Sequence, residues 1–120
     1  MADVADYTVI SDGGATVQTG GDIDRSFSFN LGTAVQHTQS KILQFFFVST
    51  ANANNLSFRL SINGTAVRTI NVNGNFFSSI HEVIGSGVTH DNNNDLTLAV
   101  VGGTGGVTVS DIVLYSQRTV

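Results

Sequence analysis

Polar and apolar residues alternate along most of this chain with a period of two. Arg25-Ser26-Phe27-Ser28-Phe29-Asn30-Leu31 sets Phe27, Phe29 and Leu31 on one face, the pattern of a half-buried β-strand. Leu56, Phe58, Leu60 and Ile62 repeat it, and Asn63-Gly64 follows at once. Asn-Gly supplies the two positive φ angles of a type I′ turn, whose twist matches the strands it joins. Thr65 to Val72 then returns as the partner strand, with Arg68 on the face of Ala66, Ile70 and Val72, and Asn73-Gly74 marks the next turn. Leu96, Leu98 and Val100 alternate again, as do Val107 and Val109 after Gly102-Gly103-Thr104-Gly105-Gly106. That glycine run opens no helix and lacks the lysine of a phosphate loop, so it predicts a flexible hairpin turn.

Two stretches break the alternation. Lys41 to Ser49 contains Ile42, Leu43, Phe45, Phe46, Phe47 and Val48, apolar on both faces. This describes a central strand covered on both sides, or one whose outer face meets another chain. Left bare, such a segment invites aggregation. In the last strand, Val107 and Val109 lie in one phase and Ile112 and Leu114 in the other, with Ser110-Asp111 at the change. A β-bulge there turns both sets inward.

The pattern gives eight or nine strands, at about 7–10, 15–19, 25–31, 41–49, 55–63, 65–72, 75–84, 95–101 and 106–116. No stretch of helical length carries a 3.6-residue period. Closely spaced short strands imply an all-β fold, a jelly-roll-like antiparallel β-sandwich, with residues 1–120 as a single domain. Phe29, Phe58, Leu60, Ile62, Leu96, Leu98 and Leu114 are the expected core.

Composition narrows the function more than the fold. Charged residues make up 12% of the chain, about half the share in an ordinary soluble domain. The surface must therefore be Ser, Thr, Asn, Gln and Gly, which suits a neutral hydroxylated ligand or the packing of identical copies. Net charge is −4 with five scattered Lys and Arg, whereas nucleic acid binding needs clustered cations. The chain has no Cys, so disulfides and thiolate metal sites are excluded. Its longest apolar run, Phe45 to Val48, is far too short to span a bilayer as a helix; no membrane partner is expected. Met1-Ala2-Asp3-Val4-Ala5-Asp6 shows neither the basic nor the apolar region of a signal peptide. A secreted or extracellular mature chain is the expectation.

Three stretches resemble the galactose-binding-like β-sandwich found in many carbohydrate-binding modules. They are Leu60-Ser61-Ile62-Asn63-Gly64, Asn94-Asp95-Leu96-Thr97-Leu98, and the closing Gly105-Gly106-Val107-Thr108-Val109-Ser110-Asp111-Ile112-Val113-Leu114. The resemblance covers roughly residues 40–116 and implies the same fold and a glycan-binding role. It also implies a structural calcium near the first and last strands, with Asp111 at the acidic position of the closing strand. The chain departs from the family in two ways. It has no Trp, and its tyrosines are Tyr7 and Tyr115 alone, although members that bind sugar usually stack it on Trp or Tyr. No Glu-x-Glu pair near the start completes the calcium site.

Catalytic chemistry is poorly supplied. The one glutamate, Glu82, follows His81, and neighbours on a strand face opposite ways. His37, His81 and His90 lie in separate segments. The chain is expected not to be an enzyme. The sharpest polar cluster is Asp91-Asn92-Asn93-Asn94-Asp95. Asp91, Asn93 and Asp95 mimic the start of an EF-hand loop, but Leu96 stands where its glycine belongs and Gly102 where its closing Glu belongs. Asn and Asp also favour turns in their own right. Calcium is a candidate ligand, at Asp91, Asn93, Asp95 and Asp111, and no cofactor is required.

Two functions remain. One is a non-catalytic carbohydrate-binding module or small lectin for a neutral glycan, using Asn73, Asn75, Phe76, Phe77, Asp91, Asn92, Asn93 and Asp95. Phe76 and Phe77 are adjacent, so one is expected in the core and the other free. The alternative is a self-assembling subunit of a filament, shell or phage-like particle. A homo-oligomer is expected under either.

Overall fold

Every alternating stretch becomes a strand in the computed structural model, which describes residues 3–35 and 39–119. His37 lies outside the described residues. The strands are β1 (Asp3–Ser11), β2 (Ala15–Gln18), β3 (Asp24–Phe29), β4 (Lys41–Ser49), β5 (Asn54–Ile62), β6 (Thr65–Val72), β7 (Phe77–Ile84), β8 (Asn94–Thr104) and β9 (Gly106–Thr119). One sheet has the order β1-β9-β4-β7, with β2 also pairing to β9; the other has the order β3-β8-β5-β6. All pairings are antiparallel. The result is a two-layer sandwich, and among the described residues no helix is long and apolar enough to cross a membrane.

Alternation decides which side chains fill the gap between the layers. Leu43, Phe45 and Phe47 of β4 and Val107, Val109, Ile112 and Leu114 of β9 are buried from one side; Leu56, Phe58, Leu60 and Ile62 of β5 and Leu96 and Leu98 of β8 are buried from the other. All seven expected core residues are buried. The phase change in β9 is a bulge: the register against β4 jumps between Phe46↔Ser110 and Gln44↔Val113. Asp111, with φ of 54°, absorbs the extra residue. Aspartate tolerates this left-handed conformation better than most residues. The Asn63-Gly64 turn has φ of 51° and 81°, as a type I′ turn requires.

Two details differ from the sequence expectation. The register of β6 against β5 shifts between Leu60↔Arg68 and Ser61↔Ala66. Arg68, Ile70 and Val72 therefore keep one phase while Ala66 falls into the other. The glycine run is not a loose hairpin, since it carries the chain from β8 in one sheet to β9 in the other. A Cβ on Gly103, whose φ is 72°, would overlap the Asn55 carbonyl, and one on Gly105 would lie 2.7 Å from the Ala53 Cα. Close approach to residues 53–55 demands glycine there.

Near the chain termini, Arg118 Nε donates to Asp6 Oδ2 at 2.7 Å. The Tyr7 backbone N–H, which donates to Asp6 Oδ1, holds the Asp6 carboxyl below its ordinary range, with Arg118 adding to the effect. A depressed carboxylate contributes stability above its unfolded pKa and loses it as pH falls through the folded value. The melting temperature of Asp6→Asn should therefore lie slightly below that of the parent at neutral pH. The gap should close in acid once Asp6 itself is protonated. A gap that persists at the lowest pH would show that the carboxylate is not its source.

Candidate functional site

The expected glycan contacts fall at opposite ends of the sandwich. Asn73–Phe77 links β6 to β7 at one end, beside Ser49 and Ala53. Asp91–Asp95 leads into β8 at the other, beside the Asn63-Gly64 turn. The eight residues of β6 separate them by roughly 25 Å at about 3.3 Å per residue. No single ligand site includes both loops.

The first end is a ledge of two phenylalanines whose rings lean on opposite sides of β4, Phe76 on inward Phe47 and Phe77 on outward Phe46. Phe76 is 51% exposed and Phe77 66%, so neither enters the core. Phe76 precedes the first paired residue of β7, Phe77↔Val48, and so escapes the strict alternation that the sequence suggested. Each ring is nevertheless backed by another: Phe76 stands 6.0 Å from core Phe47 and Phe77 6.4 Å from Phe46, centroid to centroid. The loop backbone beneath them is fixed. Ser49 Oγ accepts the Phe76 N–H at 2.9 Å and lies 2.7 Å from the Gly74 carbonyl. The Gly74 N–H donates to the Ala53 carbonyl at 2.8 Å, and the Asn55 N–H donates to Asn73 Oδ1 at 2.7 Å. Asn73 and Asn75 are exposed beside the rings. The arrangement offers apolar ring surface next to amides, the two surfaces a sugar ring presents partners for. Phe46 and Ser49 escaped the sequence reading as site residues; the signal for Phe46 was the doubly apolar Lys41–Ser49 stretch.

The second end is a wired turn. Asn94 is fully buried. Its Oδ1 accepts the His90 N–H at 2.7 Å and Asn63 Nδ2 at 2.9 Å, and its Nδ2 donates to the His90 carbonyl at 2.8 Å. The Asp91 carbonyl accepts the Leu31 and Gly32 N–H groups, and Asn30 Oδ1 accepts the Asn93 N–H. Asn92, Asn93 and Asp95 are exposed, and Asp95 Oδ1 accepts Ser28 Oγ at 3.1 Å.

The calcium candidates do not fit one ion. Asp91, Asn93 and Asp95 belong to this turn, whereas Asp111 stands at the bulge halfway along β9 in the other sheet. Among the described residues no group of three or more His, Asp or Glu side chains converges. Calcium requires six to eight oxygens. His81 and Glu82 diverge as expected: His81 is exposed, and Glu82 pairs with Arg68 at 2.9 Å.

No family model and no curated protein matches the chain. Solved structures match it closely in fold. Dimeric latent PorU from Porphyromonas gingivalis superposes with a TM-score of 0.75 at 12% identity over 98% of this chain. A β-porphyranase of glycoside hydrolase family 86 from Bacteroides plebeius gives 0.68 at 19% identity, again over 98% of this chain. The chain spans only 13% and 21% of those two proteins' lengths. A family 36 carbohydrate-binding module, solved with calcium and xylotriose, gives 0.52 at 15% identity, with 97% of this chain and 100% of the module covered. The fold is thus that of a carbohydrate-binding-module-like β-sandwich.

Proposed function

We propose that this chain is a non-catalytic carbohydrate-binding module that holds a neutral oligosaccharide on the Phe76–Phe77 ledge. The observation that carries this reading is the pair of exposed rings, each buttressed by a second ring and bordered by Asn73 and Asn75. Sugars offer apolar C–H faces to stack on and hydroxyls to hydrogen-bond. The buttressing rings hold the platform in place before the ligand arrives, which limits the ordering cost. The full-length match to a module solved with xylotriose supports the ligand class, and an extracellular setting follows from that class. Asn92, Asn93 and Asp95 form a second polar patch, away from the rings. Calcium has no required part in this reading.

A glycan array followed by titration calorimetry tests it. One shallow site should bind in the millimolar to micromolar range, about 4–8 kcal/mol. Phe77→Ala should weaken a hit by about 10- to 100-fold, the effect of losing one buried aromatic contact. Asn93→Ala and Asp95→Ala should leave it unchanged, as should exchanging chelator for millimolar calcium. Binding lost on Asp95→Ala and kept on Phe77→Ala would move the site to the other end. No hit on the array would remove the glycan reading.

A further inference from the structure

The outer faces of the two sheets differ sharply. On the four-stranded sheet the outward positions include Ser26, Ser28, Asp95, Thr97, Ser57, Arg59, Ser61, Thr69 and Asn71, set by the registers of β3, β8, β5 and β6. On the five-stranded sheet one row crosses four strands in register: Tyr7↔Tyr115, Tyr115↔Ile42 and Ile42↔Val83. All four side chains are apolar or aromatic and solvent-exposed, at 63%, 40%, 42% and 66%. The next row holds Val9, Val113, Gln44 and His81.

We infer that this face is the interface with a second copy of the chain, centred on the Tyr7–Tyr115–Ile42–Val83 row. Its size fits. Four strands about 4.8 Å apart and nine residues at about 3.3 Å each give a face of roughly 600 Å². Two copies would bury about 1,200 Å², the lower bound for a stable specific interface, whereas a bare patch of this size is the largest that soluble monomers usually expose. Its charge fits as well. The protein carries −4, so copies meet most easily across a surface with little fixed charge. Among the described side chains, the outward strand positions of this face include no Lys or Arg; their one ionisable group besides the tyrosines is His81, with Asp111 at the bulge. With Lys41 of the adjoining hollow as the nearest cation and no basic cluster, an anionic lipid surface is disfavoured.

A sugar suits this row less than the phenylalanine ledge does. The Tyr115 hydroxyl already donates to Gln44 Oε1 at 3.0 Å, and the flanking Ile42 and Val83 offer no polar atoms. Beside the row, Ala5, Lys41, Ile42, Tyr115 and Gln117 line a shallow hollow of about 180 Å³. The hollow admits a side chain projecting from the opposite copy. A two-fold axis through the row pairs it with itself, the usual self-complementary solution for a dimer. Phe77 faces outward at the far end of the same face, six residues along β7 from Val83, or about 20 Å at about 3.3 Å per residue.

The test is sedimentation equilibrium of the full chain from low- to high-micromolar concentration. The two tyrosines and the absence of tryptophan make intrinsic fluorescence a probe of this row alone. The wild type should dimerise, and acrylamide quenching of its tyrosine emission should fall in step. Tyr7→Lys and Val83→Lys should each weaken the dimer at least about 30-fold, as for central interface residues, with an unchanged far-ultraviolet dichroism spectrum. Ser26→Lys, on the opposite face, should dimerise as the wild type does. A wild type that stays monomeric overturns the inference, including where its tyrosine emission responds instead to a soluble glycan or to phosphatidylcholine vesicles. A dimer that survives both Tyr7→Lys and Val83→Lys overturns it too. Glycan binding is read with Phe77→Ala and dimerisation with Tyr7→Lys and Val83→Lys, in a row about 20 Å away at about 3.3 Å per residue, so either proposal can fail without the other.

Discussion

Replacing Phe58 with Ala should cost about 3–5 kcal/mol, the usual loss for an emptied aromatic site in a core. Phe58 sits midway along β5, paired with Ile70 on one side and Val100 on the other. It has no solvent exposure, and its ring meets Phe47 of the opposite sheet edge-on at 5.1 Å. That contact ties the two layers together, so the cavity opens between sheets that cannot slide to close it. Domains of this kind are stable by only about 5–15 kcal/mol, so about a fifth or more of the total is at stake. Urea denaturation should show a much lower midpoint with an unchanged slope. Phe77→Ala, at an exposed ring, should cost under about 1 kcal/mol. Equal midpoints for the two variants would mean that Phe58 does not hold the layers together.

The same residues explain how much of this molecule can be read from its sequence. Alternation at Leu56–Ile62 and Leu96–Val100 fixes which side chains face inward, because a one-residue slip would expose the whole apolar set. The phase change at Ser110-Asp111 is legible for the same reason: only a bulge keeps Val109 and Ile112 both inside. The path between sheets is not legible. Nothing in Asn73–Phe77 says that β6 and β7 lie in different layers; that this loop and Asp91–Asp95 sit at opposite ends follows instead from the single strand, β7, that runs between them. Phe76 departs from expectation because alternation holds only where the ladder pairs residues, and the ladder begins at Phe77. Ala66 departs because the irregularity in β6 leaves no mark in its spacing; Thr65 to Val72 reads equally well without a shift. The apolar outer positions of Lys41–Ser49 carry the clearest functional signal. They lie on the face of the inferred dimer and include Phe46, the ring behind Phe77.

Asn94→Ala should be the most damaging polar substitution, at about 2–4 kcal/mol, since each buried hydrogen-bonding group left alone costs about 1–3 kcal/mol. The change strands the His90 N–H and carbonyl and removes one of two acceptors from Asn63 Nδ2, which keeps the Val88 carbonyl at 2.8 Å. Asn94→Asp separates geometry from charge. A carboxylate can still accept from His90 and Asn63, but it sets an oxygen against the His90 carbonyl and buries an anion. Burial and that carbonyl both raise the folded-state pKa of the introduced carboxyl above its unfolded value. By linkage the Asn94→Asp protein is then least stable above that folded pKa. Relative to the parent it recovers as pH falls and the carboxyl, once protonated, donates to His90. Asp95→Ala, at the exposed neighbour, should cost little at any pH. Melting curves of all three variants across the acid range would distinguish these outcomes. If Asn94→Ala melts with Asp95→Ala, the turn is held by its backbone bonds to Leu31 and Gly32, and the Asn63–Asn94 pair is dispensable.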